Sequence, residues 1–186
     1  MRVPALSLLL LLAACAGGAP QRFVDLPPAA QPPGAGDPVR AAIIESAFVF
    51  GQPGQVAGQP AKVARALGQL EYLAEAMGSR PPGAHDGLAL PMLQQGRAES
   101  RRAFGIRPDA PPQLAVDALF AAAVALEAGR REEATAALVP IAAPGDAEAM
   151  RDRLDNLPHL PAAAAGTNRA YRLLTPPPRI VPAFRS

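Results

Sequence analysis

Apolar positions recur along this chain mostly at three- and four-residue intervals, the period of a buried helix face. The clearest stripe is Val63, Ala66, Leu67, Leu70, Leu73, Ala74 and Met77, with Lys62, Arg65, Gln69 and Glu75 off it. It predicts a helix over 60–77, opened by Pro60 and ended by Gly78. Upstream, Asp37-Pro38 reads as a capping residue followed by proline at the first helical position, leading a helix over 39–50 that stops at Gly51. Its Ile43, Ile44, Ala47, Phe48 and Phe50 are dense enough to be buried together. Two Gly-Gln-Pro triplets, at 51–53 and 58–60, make the connecting loop, and 79–87 makes another. A third helix is predicted over 90–104, with Pro91 in its first turn and Gly105 closing it.

The segment 113–128 is apolar except for Asp117 and Glu127, a composition expected of a central, buried helix. Gly129 ends it, and Glu132-Glu133 place negative charge at the positive end of the next helix dipole, which closes near Pro140. Asp146 is the expected cap of a further helix with Met150, Leu154 and Leu157 on one face, and a last helix is expected over 162–174. No β-branched run alternates at period two, so no sheet is predicted. The expectation is an all-α domain over 37–174, of six to seven helices in one orthogonal bundle or a short helical-hairpin array. Residues 114–139, with Ala118-Leu119 and Leu126-Glu127-Ala128-Gly129, resemble one tetratricopeptide-type hairpin. They depart from that family in lacking its aromatic positions and any second copy at a fixed period.

The amino terminus follows a different rule. Met1-Arg2 precedes an apolar run over 3–14, unbroken from Leu8 to Leu12 and too short for a membrane span of roughly 20 residues. A charge, a short apolar core and small residues, in that order, are what a secretory leader needs. The run ends Leu12-Ala13-Ala14-Cys15, which resembles the lipobox of bacterial lipoproteins. The resemblance implies loss of residues 1–14 as a signal peptide, diacylation of the Cys15 thiol with palmitate-type chains, and membrane attachment through that lipid. In the same class, an Ala16 in place of an aspartate implies the periplasmic leaflet of the outer membrane rather than the inner membrane. Cys15 is also the one cysteine in the chain, so no internal disulfide is possible, and an acyl acceptor explains it better than a redox thiol.

Behind Cys15, the proline-rich stretch 15–36 is expected to be an extended tether, spanning up to roughly 60 Å at about 3.1 Å per residue. A second proline-rich tail covers 175–186. About 170 residues remain after the leader, enough for one domain with a core of its own. Losing Arg2 takes the formal net charge from +2 to about +1, which gives no electrostatic argument for nucleic acid. A single lysine, Lys62, stands against seventeen arginines. Such a bias reflects coding composition more than anion binding. Aromatic residues are 4% of the chain, too few for base-stacking platforms.

Candidate chemistry is sparse. Of Arg97, Arg101, Arg102 and Arg107, the pair Arg97 and Arg101 are four apart and share a helix face, a possible contact for a phosphate or carboxylate. His85 and His159 have neither cysteine ligands nor paired spacing for zinc. His85-Asp86 can orient an imidazole, but Ser46, Ser79, Ser100 and Ser186 sit in no nucleophile turn. Asp117 and Glu127 fall roughly 80° apart on a helix and two to three turns distant, which suits pairing with arginine rather than acid–base work. No catalytic residue, metal or cofactor is therefore expected. The expectation is a non-catalytic interaction or structural domain facing the periplasm, with an envelope protein partner. The alternatives are a carrier of lipid or of a small apolar ligand, and an enzyme of unrecognised type.

Overall fold

A computed structural model describes residues 24–30, 36–78 and 87–174. Its seven α-helices are α1 (Pro38–Gly51), α2 (Pro60–Ala76), α3 (Ala89–Phe104), α4 (Pro112–Glu127), α5 (Arg131–Leu138), α6 (Ala147–Arg153) and α7 (Pro161–Leu174). Among the described residues there is no strand; one isolated antiparallel bridge joins Ile106 to Ala142. None of the described helices is long and apolar enough to cross a membrane.

Local chemistry explains most helix ends. The Asp37 carboxylate accepts from the amides of Val39 at 2.9 Å and Arg40 at 3.4 Å, satisfying donors that the first turn leaves free. Pro38 then occupies a position where a missing N–H costs nothing. Gly105 ends α3 in the left-handed region at φ 77°, a conformation glycine adopts without penalty. Asp146 departs from expectation. It holds the capping position of α6 with φ −96° and ψ 1°, and its side chain makes no cap hydrogen bond. Helix α6 ends at Arg153, so Leu154 follows it as a buried turn residue and half-buried Leu157 lies beyond.

The packing makes α2 the central helix. It touches α1, α3 and α4, while α7 packs on α3 and α1 and so closes a four-helix group. On the far side of α2, α4 carries α5, and α5 carries α6. The arrangement thus joins a bundle to a helical hairpin. The expectation that α4 is the central helix is corrected: its Leu114, Asp117, Ala121, Val124 and Glu127 face outward. Helix α2, despite its charged residues, has neighbours on three sides and buries Gln69, Glu71 and Tyr72 as well as its apolar stripe.

Glycine sets two of the close approaches. A Cβ on Gly68 would stand 2.9 Å from the Phe120 ring, between α2 and α4. A Cβ on Gly96 would stand 2.7 Å from the Cα of Ala163, so α3 and α7 meet backbone to backbone. Glu99 of α3 secures the same junction by accepting from the Ala163 amide at 2.9 Å, in the first turn of α7.

The proline-rich stretch also departs from expectation. Part of it is not tether at all, because residues 24–30 lie on the domain. Val24, Leu26 and Ala30 are half-buried against the core, and Pro28–Ala30 makes one 3-10 turn beside α4. Apolar residues between the prolines supply the packing that proline alone does not.

Candidate functional site

Cys15 and the apolar run before it lie outside the described residues, as do His85, Asp86 and the tail 175–186. The arginine pair is described, and its surroundings are specific. Arg97 and Arg101 share one face of α3, and that face is turned toward α2. The Arg101 Nε and Nη2 donate to the two carboxylate oxygens of Glu71, each at 2.7 Å. Its Nη1 donates to the carbonyls of Pro108 and Ala110, each at 3.0 Å. Arg97 pairs through Nη1 with Glu75, one turn further along α2. The carboxylates that grip this pair therefore come from the chain itself.

The arrangement is close to dry, with Glu71 1% exposed and Arg101 8% exposed. The Glu71 hydrogen bonds, aided by the charges of Glu71 and Glu75 and opposed by burial, hold the Arg101 guanidinium even further toward its charged form than usual. Four of its five N–H positions suit the contacts seen, so the group pins both α2 and the loop between α3 and α4. Chemically this is a structural clasp. Arg102 is exposed and donates to the Ala98 carbonyl at 3.0 Å, while Arg107 lies 3.7 Å from Asp109.

The remaining nominees are scattered. His159 is exposed on the approach to α7, and no three His, Cys, Asp or Glu side chains among the described residues are placed to hold a metal. The hydroxyls of Ser46 and Ser100 bond to carbonyls of their own helices, Ala42 at 2.6 Å and Arg97 at 3.0 Å. Asp117 and Glu127, expected in a buried helix, are exposed. Asp117 accepts from Gln113 at 2.9 Å, and Glu127 pairs with Arg65 of α2 at 2.5 Å, the arginine pairing expected of it.

Two surface depressions carry apolar area. A hollow of about 440 Å³ lies between α4 and α5, walled by Phe120, Ala121, Val124, Ala125 and Ala137, with Pro27 and the charged Asp117, Arg130 and Glu133 also lining it. A groove of about 300 Å³ runs between α1 and α7, lined by Ile44, Ala47, Phe48, Gln52, Asn168 and Tyr171. Ile44, Phe48 and Tyr171 are 42%, 43% and 41% exposed. This corrects the expected burial of Ile44 and Phe48: only Ile43, Ala47 and Phe50 of that group enter the core. Arg40 stood as the one clue, since it is four residues before Ile44 and eight before Phe48, and so marks their stripe as the outer one.

No family model, no curated protein and no solved structure matches the chain.

Proposed function

We propose that this protein is a lipid-anchored component of a bacterial envelope, whose helical domain works by contact with other envelope components rather than by catalysis. The observation that carries the reading is Leu12-Ala13-Ala14-Cys15, at the end of a short apolar leader, in a chain with no other cysteine. The exposed apolar groove of α1 and α7 supports the contact half of it. Surface side chains of this size are ordinary singly, but three from two helices lining one groove form a patch of the kind that partners cover.

Palmitate labelling in a bacterial host tests the anchor. Label is expected in the wild-type chain and absent from Cys15→Ser, with the wild type sedimenting with membranes and the variant released. Equal labelling of the two overturns the assignment. A second reading, carriage of a small apolar molecule, is favoured by the hollow of α4 and α5, whose volume lies in the range of ligand sites. Native mass spectrometry of the purified protein separates the two readings. A co-purifying lipid mass lost in Ala121→Glu supports carriage, and protein free of adducts supports contact.

A further inference from the structure

Residues 24–30 hold to α4 by a contact that the sequence did not signal. The Gln113 side chain treats Asp25 as a neighbouring β-strand would. The Asp25 amide donates to Gln113 Oε1 at 2.8 Å, and Gln113 Nε2 donates back to the Asp25 carbonyl at 3.0 Å. One primary amide thus satisfies both backbone groups of one extended residue. The second Nε2 hydrogen goes to Asp117 Oδ1 at 2.9 Å, which fixes which way the amide points. Reversed, it would set N–H against N–H and oxygen against two oxygens. Packing completes the attachment, with Val24, Leu26 and Ala30 half-buried on the core.

We propose that residues 24–30 form a strap that sets how far the domain hangs from its anchor, with Gln113 as the residue that positions it. The reach rests on the lipid-anchor reading; the strap itself does not. With the strap seated, nine residue steps separate Cys15 from Val24, about 28 Å of extended chain at roughly 3.1 Å per residue. Released, twenty-two steps separate Cys15 from Asp37, about 68 Å on the same scale. The strap therefore gives one protein a short and a long reach. Seated, it also places Pro27 in the wall of the α4 and α5 hollow. The attachment is modest in size, two hydrogen bonds and three half-buried side chains, so the long reach is accessible without unfolding the helices.

Amide hydrogen exchange read by NMR tests the strap, on the full chain carrying Cys15→Ser so that no lipid is involved. In that background the Asp25 amide is expected to exchange about fivefold more slowly than an unstructured amide, the factor that one net hydrogen bond of about 1 kcal/mol supplies. Adding Gln113→Ala is expected to abolish that protection while leaving α2 amides as slow as before. Gln113→Glu is expected to do the same, because it keeps the acceptor but sets carboxylate oxygens against the Asp25 carbonyl and Asp117. An Asp25 amide that exchanges freely when Gln113 is present, or stays protected without it, overturns the strap. Neutron reflectometry of the acylated protein on a supported bilayer then tests the reach. Gln113→Ala is expected to raise the domain, and equal heights overturn the two-reach proposal. A chain that takes up no palmitate removes the anchor reading and the reach, while the exchange measurement still decides the strap.

Discussion

Glu71 of α2 and Arg101 of α3 meet fork to fork, thirty positions apart in the chain, with both carboxylate oxygens engaged at 2.7 Å. The pair is buried, and the same guanidinium reaches on to two carbonyls of the loop that leads into α4. One side chain thereby joins the four-helix group to the hairpin that covers it. Removing a single partner from such a pair leaves an uncompensated charge in a dry place, which costs about 3–5 kcal/mol. Glu71→Ala is expected to lose about that much in urea unfolding. Adding Arg101→Met to it is expected to restore part of the loss, since the stranded charge goes with it. A Glu71→Ala chain as stable as wild type would remove the pair from the account of stability.

The α3–α7 crossing makes a sharper steric prediction. Gly96→Ala puts a methyl group 2.7 Å from the Ala163 Cα, against backbone that cannot swing aside. Overpacking of this kind costs about 1–3 kcal/mol, so a clear drop in melting temperature is expected. Gly54→Ala, where nothing lies within 4 Å, serves as the control and is expected to melt within about 0.5 kcal/mol of wild type.

The groove of α1 and α7 predicts the opposite behaviour. Phe48 is 43% exposed, so Phe48→Glu is expected to leave unfolding within about 1 kcal/mol of wild type. It should nonetheless weaken fluorescence from a dye that binds apolar surface, such as anilinonaphthalene sulfonate, and weaken contact with any partner seated there. Unchanged dye binding would show that the groove is not an apolar surface in solution.

Asp152 supplies the pH dependence. The hydrogen bond from Arg151 lowers its pKa below the ordinary 3.8, opposed by desolvation and helped by the charges of Arg151 and Arg131. A carboxyl depressed in the folded state contributes stability above its unfolded pKa and loses it as pH falls through the folded value. The contribution is therefore fully present above the ordinary value of 3.8 and is lost progressively as pH falls through the lowered folded value. A carbon-detected titration is expected to show a depressed midpoint that rises in Arg151→Ala. Since Asp152 is exposed, molar salt is expected to raise it as well.

Much of the fold was legible locally. The Asp37-Pro38 start, the Gly105 stop and the stripe from Val63 to Met77 each work through contacts within a turn or two, so they read directly as helix signals. The lack of alternating segments likewise predicted an all-helical chain. Less of the candidate surface was legible. Arg97 and Arg101 were correctly placed on one face, but a single helix does not say what that face meets. Asp117 and Glu127 were expected inside because apolar composition was read as burial on all sides. Their charges in fact marked the outer face of α4, and Val116, Leu119, Phe120 and five alanines fill the inner one.

Helix type and most helix ends follow from sequence because each rests on short-range rules: backbone satisfaction within a turn and side-chain period. Tertiary structure alone decided which helix is central, that Glu71 and Glu75 take the arginines, and that Gln113 captures Asp25 from 88 positions away. Those outcomes depend on which faces come together when the chain closes on itself. Burial makes the Glu71 carboxylate seek a guanidinium once water has been excluded between them. Gln113, by contrast, meets the exposed Asp25 backbone only because Val24, Leu26 and Ala30 pack against the core beside it.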